Sequence, residues 1–330
     1  MSEEQSRAST ETPTAGVVGV GSMGQHHARV YDELPNVSLA GVADADEDRA
    51  AAVAGKYGTE VLSQSELLDR CDAVSVAVPT RYHYGVATEA IDRGVDVLIE
   101  KPFVSDLARG RELVDMAREQ DVALQVGHVE RFNPAVRALT DILPDLDVIA
   151  VDVQRLGPPV DRDSKDGVVL DLMIHDIDIV LSMLGEDVNQ VSAMSARDRD
   201  HVTAQLEFDD GVVADLTASR VTQEKVRRLA VTARECRVNV DYESQGVQIH
   251  RHSVPEYYES DGDLRYRHES IIERPTIENG EPLRAELEAF VDAATTGSRP
   301  PVSGEDALAA LDVARRIEDC ATGAPPRIEN

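Results

Sequence analysis

The sequence predicts an α/β protein with two domains: an N-terminal doubly wound (Rossmann) parallel sheet, and a C-terminal α+β domain with a large, mostly antiparallel sheet. The length of 330 residues is more than one hydrophobic core usually holds. Short apolar runs alternate with helical stretches as far as Gly127, and strand-like runs follow one another after it. We therefore assign residues 15–127 to the first domain and 128–330 to the second. Residues 1–14 are polar and acidic, and we expect a disordered tail there.

The first domain is predicted from its alternating pattern. Five apolar runs have the length and composition of buried parallel strands, at residues 17–20, 39–43, 73–78, 95–99 and 122–126. Helical stretches lie between them, at residues 24–34, 47–57, 84–93 and 106–119. Strands that alternate with helices form a parallel sheet covered by helices on both faces.

The second domain is predicted from a change in this pattern. One helix spans residues 168–184, and strand-like runs follow at residues 190–194, 202–208, 212–219, 229–233, 237–242 and 247–250. The turn Asp209-Asp210-Gly211 joins two of these runs as a hairpin. Residues 255–278 are polar and predict a long irregular loop. Helices at residues 282–296 and 304–322 close the chain, and packing of the last helix against the first domain is an open alternative.

The charge balance excludes two classes of partner. Sixty-two acidic residues against 33 basic ones give a net charge of -29, which is spread along the chain. Such a surface repels nucleic acid and anionic lipid, so we expect neither nucleic acid nor a membrane as a partner. Only four of the basic residues are lysines. Dispersed acid with scarce lysine favours a halophilic protein, whose self-repulsion is screened by salt. An ordinary acidic protein is the alternative.

The cysteines and the hydropathy indicate a cytoplasmic protein. The three cysteines, Cys71, Cys236 and Cys320, have no C-x-x-C spacing, which argues against a disulfide framework or a cysteine metal cluster. No run approaches the roughly 18 apolar residues of a membrane helix. The N-terminus lacks the basic and the apolar parts of a signal peptide.

A glycine-rich turn, Gly19-Val20-Gly21-Ser22-Met23-Gly24, follows the first predicted strand. Between a strand and a helix, G-x-G-x-x-G is typical of dinucleotide binding. Gly19 permits the tight turn, Gly21 lets the backbone approach the pyrophosphate, and Gly24 allows close packing of helix and strand. The helix N-terminus, with Ser22 and Met23 before it, then faces the phosphates with free N–H groups. A glycine-rich turn without a ligand is the alternative.

Asp44 ends the second predicted strand, 25 residues after Gly19. A carboxylate there accepts hydrogen bonds from the ribose hydroxyls of NAD and repels the 2′-phosphate of NADP. Arg49 follows closely, and its charge is suited to neutralising a phosphate. We therefore expect NAD as the cofactor, with NADP less favoured. Capping of the next helix is the alternative role for Asp44, although Asp46 fills that role equally well.

The predicted strand at residues 95–99 runs into Glu100-Lys101-Pro102. Ligands of such sheets bind outside the carboxyl ends of the strands, so Lys101 is placed where a nicotinamide and its substrate meet. An ammonium group there hydrogen-bonds an alcohol oxygen and stabilises the negative charge that develops on it. A surface lysine at a strand end is the alternative.

A second cluster lies on the predicted helix of the second domain. Asp171, His175 and Asp178 are spaced four and three residues apart, which puts them on one helix face. An imidazole beside a carboxylate is a good proton acceptor near neutral pH. Because the helix is otherwise apolar, we expect it to be largely buried, and buried carboxylates beside a histidine indicate a functional site. A solvated polar face and a divalent metal site are the alternatives. No metal is expected, since hydride transfer from an alcohol needs none when lysine and histidine are available.

Together these motifs resemble the Gfo/Idh/MocA family of sugar and cyclitol dehydrogenases. The likeness covers nearly the whole chain, and the combination of E-K-P with D-x-x-x-H is its most specific part. The resemblance implies that Lys101 and His175 are the catalytic pair and that Asp171 positions the substrate.

The same resemblance implies neighbours for the cofactor. Residues at the end of the third strand are expected to border its nicotinamide half, namely Pro79, Thr80 and His83. Glu100 is expected near the nicotinamide ribose. The peptide between Lys101 and Pro102 is expected to be cis.

Residues 126–134, taken with 174–178, are more closely similar to the archaeal UDP-N-acetylglucosamine 3-dehydrogenases of this family. This likeness implies that the sugar 3-hydroxyl is oxidised by hydride transfer to the nicotinamide. The diphosphate of a nucleotide sugar needs cationic partners. We therefore expect substrate contacts from His128, Arg131, Arg155 and Arg162, besides the catalytic residues. For each arginine, an ordinary surface position is the alternative.

Two other functions stay open. One is NAD(P)-dependent oxidation of a free sugar or of inositol, and the other is NAD(H) sensing by a regulatory protein without turnover. A sensor does not need both Lys101 and His175, so their joint presence favours an enzyme. The exposed face of the antiparallel sheet often joins subunits in the family, which implies a homodimer or homotetramer.

Overall fold

The computed structural model describes residues 12–159, 167–196, 199–252, 256–260, 263–267 and 269–322. Contacts divide the chain into two units. One runs to Phe132 and resumes over Glu281–Asp312, and the other comprises Asn133–Gly280 and the chain from Val313 onward. The chain thus leaves the first unit five residues after Gly127 and returns to it later. Most of the predicted tail, residues 1–11, lies outside the described residues, whereas Thr14 already begins the first strand.

The first unit is a parallel sheet with helices between its strands, as the alternating pattern predicts. The strands are β1 (Thr14–Val18), β2 (Ser38–Ala43), β3 (Ala73–Val76), β4 (Asp96–Glu100) and β5 (Leu124–Gly127). All neighbours in the order β2-β1-β3-β4-β5 are parallel. Every residue of β3, β4 and β5 is buried, which explains their nearly continuous apolar sequences. The strand order reverses between β1 and β3, and ligands of such sheets bind at the carboxyl ends beside this point.

Helices connect the strands of this sheet. They are α1 (Gly24–Glu33), α2 (Glu47–Tyr57), α3 (Gln64–Leu68), α4 (His83–Asp92) and α5 (Leu107–Glu119). The carboxylates of Asp46 and Asp106 cap α2 and α5 by accepting backbone N–H groups. α3 is absent from the predicted helices. It is only five residues long and is held by a capping box of Ser63 and Glu66, so it is too short to show an apolar period.

The second unit is an α+β fold on a large sheet. Its helical segments are α6 (Pro134–Ile142), a π-helical turn (Val169–Met173) and α7 (Ile174–Leu184). Its strands are β6 (Val148–Leu156), β7 (Val188–Ser195), β8 (His201–Phe208), β9 (Val213–Ser219), β10 (Val226–Ala233), β11 (Arg237–Asp241), β12 (Gly246–His252), β13 (Glu256–Ser260), β14 (Asp263–Arg267) and β15 (Ser270–Glu273). Eight of them form a sheet in the order β15-β12-β11-β10-β6-β9-β8-β7, and β13 pairs with β14. β6 and β9 are parallel, and the other neighbours are antiparallel.

Two parts of this sheet depart from the prediction. The long loop predicted over residues 255–278 is wrong, because this segment contains β13, β14 and β15. β15 is exposed along its length and is held by pairing with β12, a distant partner that local composition does not reveal. β6 is absent from the predicted strands, although its buried residues Val151, Val153 and Arg155 alternate with exposed ones. This period of two is a strand signal.

Two helices close the described chain, α8 (Pro282–Thr296) and α9 (Gly304–Thr322). α8 belongs to the first unit, where Leu287 and Phe290 share a hydrophobic core with Tyr31 of α1. α9 starts in the first unit and continues in the second from Val313 onward. Within the described ranges, every helix is too short or too polar to span a lipid bilayer.

Candidate active site

The glycine turn lies at the carboxyl end of β1, beside the point where the strand order reverses. Gly19 has a φ of +88°, and a Cβ there would lie 2.8 Å from the Ala77 carbonyl oxygen. At Gly24 a Cβ would lie 1.8 Å from the Gly19 oxygen. At Gly21 the nearest described atom to a Cβ would be an Arg49 nitrogen at 3.9 Å. The packing of the protein therefore requires Gly19 and Gly24, whereas the space over Gly21 is open to a ligand.

The N-terminus of α1 faces this open space. Met23 occupies the N-cap position and makes no side-chain capping hydrogen bond, and the first turn of α1, all of it described, has no acidic residue. Ser22 and Met23 are exposed. The positive end of the helix dipole is thus left for an external anion. This arrangement fits the pyrophosphate of a dinucleotide.

Asp44 holds the turn from the neighbouring strand β2. Its Oδ2 accepts the Val20 N–H at 2.7 Å, and its Oδ1 accepts the Asp46 N–H at 2.9 Å. The Arg49 guanidinium lies 3.5 Å from Asp44 and 2.9 Å from Asp46. A carboxylate has about four acceptor positions, so Asp44 is able to support the turn and also accept ribose hydroxyls. These contacts fit the dinucleotide site that the sequence predicts at the end of β1.

Lys101 follows directly on β4, and its backbone is fixed by Glu100. The Lys101 N–H donates to Glu100 Oε2 at 3.2 Å, and Glu100 Oε1 lies 2.9 Å from His27 Nε2. Burial by itself raises the pKa of Glu100. The hydrogen bond from His27, the coulombic attraction of His27 and of Lys101, and the backbone N–H of Lys101 together outweigh burial and hold this pKa below its usual value. The peptide between Lys101 and Pro102 is cis, as expected from the resemblance.

His83 joins the two loops that flank this lysine. Its Nε2 lies 2.8 Å from the Val78 carbonyl oxygen, and its Nδ1 lies 3.1 Å from the carbonyl oxygens of Pro102 and Phe103. Burial lowers the pKa of His83 and outweighs the opposing effect of these carbonyls. The His83 ring is buried and connects the two loops through these carbonyl oxygens. Pro79 is exposed, and Thr80 is half-buried.

Two further predicted residues lie just after β5. His128 is buried, and Arg131 is half-buried in a 3₁₀ turn over Val129–Phe132. Both belong to the first unit. Arg162 lies outside the described residues.

The acid–base cluster belongs to the second unit. Asp171 lies in the π-helical turn and His175 in the first turn of α7, and both are half-buried. Asp178, the third residue of the predicted face, is buried. The π-helical turn contains an extra residue relative to a regular helix, which changes the face that each side chain occupies. Such turns are frequent at functional sites, but a regular periodicity does not predict them.

Arg220 extends this cluster and is absent from the predicted site residues. Its Nη2 lies 3.9 Å from Asp171 Oδ2, and its Nε lies 3.4 Å from Asp200 Oδ1. The side chain is 20% exposed. Its only sequence signal is its position directly after a strand, which many residues share. The contact places a positive charge beside Asp171.

Arg155 is held inside the second unit. Its Nε and Nη2 donate to the two carboxylate oxygens of Asp176, each at 2.8 Å. The two side chains are 5% and 2% exposed. This bidentate pair joins β6 to the first turn of α7 and so fixes the segment that carries His175.

Comparison with known proteins identifies the family. Residues 14–128 match the family model described as "Oxidoreductase family, NAD-binding Rossmann fold", and residues 150–239 match the "GFO/IDH/MocA C-terminal domain". A UDP-N-acetylglucosamine 3-dehydrogenase from Acidithiobacillus ferrooxidans is 34% identical over 289 residues, which cover 84% of this chain and 87% of that protein. The chain belongs to the Gfo/Idh/MocA family.

Other Gfo/Idh/MocA proteins are similar over most of their length. An inositol 2-dehydrogenase from Rhizobium meliloti is 29% identical over 91% of this chain and 94% of that one. A solved structure of the Acidithiobacillus ferrooxidans UDP-N-acetylglucosamine 3-dehydrogenase has a TM-score of 0.84 and 31% identity, and covers 94% of this chain and 98% of that one. Membership of the Gfo/Idh/MocA family confirms the predicted fold class, and with it a nicotinamide-dependent oxidoreductase that acts on CH–OH groups. Among the residues described, no three histidine, cysteine or carboxylate side chains are grouped to hold a metal ion.

Proposed function

We propose that this protein is an NAD-dependent dehydrogenase that oxidises the 3-hydroxyl of UDP-N-acetylglucosamine. The observation that carries the proposal is the ion pair of Arg220 with Asp171, because it places a cation on the π-helical turn that leads directly into the helix of His175. The relative with 34% identity supports the choice of nucleotide sugar.

The chemistry is divided among few side chains. His175 accepts the proton of the 3-hydroxyl, and Lys101 donates a hydrogen bond to the same oxygen as negative charge develops on it. Asp171 positions the sugar beside His175. When bound, NAD supplies the hydride acceptor for C3, so the alcohol becomes a ketone. The oxidation removes one proton and one hydride in total.

The remaining predicted contacts are assigned by their surroundings. Arg131 and Arg220 are the arginines that we assign to the diphosphate, since both are partly accessible. We assign Arg155 to positioning α7, because Asp176 already engages its guanidinium. His128 is buried and is assigned to the wall of the first unit.

Mass spectrometry of the products tests this function. The protein is incubated with NAD and UDP-N-acetylglucosamine in high salt, and a product lighter by two hydrogens is expected together with NADH. The substitutions His175→Asn and Lys101→Ala are each expected to lower kcat by about 10²–10⁴-fold while the affinity for NAD is nearly kept. Full activity in either variant contradicts the assignment.

Oxidation of a free sugar or of inositol is the second candidate, favoured by the similarity to inositol 2-dehydrogenase. NADH formation with free sugars and cyclitols but none with UDP-sugars selects it. Tight NAD binding without NADH formation from any alcohol would instead select a regulatory protein.

We further propose the setting in which the enzyme works. Asp44 supports NAD over NADP, because its carboxylate faces the turn that holds the cofactor. The net charge of -29 with four lysines supports activity in concentrated salt. A cytoplasmic homodimer or homotetramer fits a chain with three free cysteines and a broad sheet. Light scattering of the purified protein in high salt tests the subunit number.

A further inference from the structure

A line of buried polar side chains crosses the first unit from α1 to the end of β4. Tyr31 Oη lies 2.8 Å from Ser75 Oγ, which lies 3.0 Å from His27 Nδ1. His27 Nε2 lies 2.9 Å from Glu100 Oε1, and Glu100 Oε2 accepts the Lys101 N–H. Tyr31, His27 and Ser75 are 0% exposed, and Glu100 is 8% exposed. None of the first three takes part in the proposed chemistry.

One arrangement of hydrogens gives every group in this line a hydrogen-bond partner. Within the described part of the chain, the Tyr31 hydroxyl has Ser75 as its polar partner, and in this arrangement its O–H donates to Ser75 Oγ. The Ser75 hydroxyl then has one hydrogen left, and His27 Nδ1 is its acceptor. With Nδ1 accepting, Nε2 carries a proton and donates it to Glu100 Oε1.

The charge of Glu100 agrees with this direction. An ionised carboxylate only accepts hydrogen bonds, and here each oxygen has an N–H donor. The pKa of Glu100 is held below its usual value, so the carboxylate stays ionised at neutral pH. Burial raises the pKa of Tyr31, which keeps its hydroxyl protonated as the first donor.

Packing fixes the carboxylate from its other side. A Cβ at Gly127 of β5 would lie 3.2 Å from the Cδ, the Oε1 and the Oε2 of Glu100. The carboxylate is therefore enclosed between His27 of α1 and the bare backbone of Gly127. The same carboxylate thus connects His27 to the peptide of Lys101.

We propose that His27 is a positioning residue for Lys101, acting through the ionised Glu100. The N–H at His27 Nε2 holds the carboxylate that holds the Lys101 amide. Because α1 also begins at the glycine turn, the same helix supports the cofactor and the lysine. The proposal rests on the proposed function, which gives Lys101 its role with the substrate oxygen.

The tautomer is measured first, on the unmodified protein. With nitrogen-15-labelled histidine, the two ring nitrogens of His27 are assigned by their loss in the His27→Gln variant. The expected spectrum shows a proton on Nε2 of His27. A ring without a proton on Nε2 overturns the proposal. This measurement needs no substrate, so its outcome does not depend on the proposed function.

Two variants of the same position test the effect on Lys101. Gln places its amide nitrogen near the position of Nε2 and is able to donate to Glu100, whereas Asn reaches only the position of Nδ1. His27→Asn is expected to lower kcat about 10–100-fold, since a displacement of about 1 Å costs up to 10²-fold. KM for the sugar and the affinity for NAD should change by less than about threefold, and His27→Gln should restore most of kcat.

The outcomes separate positioning from folding. If both variants lose thermal stability equally and keep the kcat of the unmodified protein, the role is structural and the proposal is overturned. If His27→Gln is as slow as His27→Asn, donation to Glu100 is not the cause and the proposal also fails. The kinetics use whichever alcohol the unmodified protein oxidises, so failure with UDP-N-acetylglucosamine rejects only the substrate.

Discussion

Replacing Arg155 with methionine leaves the Asp176 carboxylate buried without its guanidinium. The pair has two hydrogen bonds of 2.8 Å, and its side chains are 5% and 2% exposed. Removing one partner from such a buried pair costs about 3–5 kcal/mol of folding stability. At about 1.4 kcal/mol for each factor of ten, the unfolding equilibrium constant should rise about 10²–10⁴-fold. Arg155→Met is therefore expected to shift the urea unfolding midpoint far below that of the unmodified protein.

The double variant Arg155→Met with Asp176→Leu removes both charges. Because no unpaired carboxylate is left, its stability should return to within about 1–2 kcal/mol of the unmodified protein. Arg118→Gln is the matched control, since Arg118 is 66% exposed in its contacts with Asp115 and Glu305. An exposed pair of this kind should contribute less than about 1 kcal/mol. Circular dichroism during urea unfolding, in constant high salt, measures all three variants.

The same variants distinguish a positioning role from a substrate contact. If Arg155 only supports α7, the double variant should keep KM for the nucleotide sugar within about threefold. A loss below 1 kcal/mol in Arg155→Met would refute the energetic reasoning. A KM for the nucleotide sugar raised more than tenfold in a stable double variant would instead support a contact between Arg155 and the substrate diphosphate.

Three further outcomes are expected. Asp44→Asn keeps an acceptor for the Val20 N–H but loses the negative charge. The ratio of kcat/KM for NAD to kcat/KM for NADP should therefore fall about tenfold or more. An unchanged ratio contradicts the assignment of NAD as the cofactor. The pKa of His83 is lowered in the folded protein, so the unfolded chain binds a proton at His83 first as the pH falls. The stability advantage of the unmodified protein over His83→Gln should therefore be full above the ordinary histidine pKa of about 6.5 and should shrink as the pH falls through that value. Urea unfolding at several pH values measures it. A stability advantage of the unmodified protein that grows as the pH falls contradicts a lowered pKa of His83. Raising KCl from about 0.1 M to 1 M shortens the screening length from about 10 Å to 3 Å, so the thermal midpoint should rise, and a midpoint that does not move with KCl argues against salt adaptation.

Local signals in the sequence predict the cofactor half of the site. The glycine turn, Asp44 and Lys101 each follow a strand whose apolar run is visible, and the parallel sheet brings strand ends to one edge. His27 gives no such signal, because its partners Ser75 and Glu100 are 48 and 73 residues away in the sequence. Nothing in the local sequence around a helical histidine identifies partners that lie so far away along the chain.

The second unit shows why the spacing of residues along a helix is insufficient to predict which side chains share a site. A single helix is predicted over residues 168–184, and the chain is helical from Val169, but the π-helical turn alters the face that Asp171 occupies. Arginine is a residue type expected at an anion-binding site, yet the burial of Arg155 beside Asp176 depends on the pairing of β6 within the sheet. The sequence alone does not distinguish a buried arginine from an exposed one.

The return of α8 to the first unit determines when that unit is able to finish folding during synthesis. Leu287 and Phe290 complete the core around Tyr31, but Glu281 leaves the ribosome 149 residues after Phe132. At about 5–20 residues per second, the apolar side of α1 waits roughly 7–30 s for its partner. A gene fragment that stops at Phe132 should therefore yield a chain with an unfinished core, and not a separable cofactor-binding module for use in fusions.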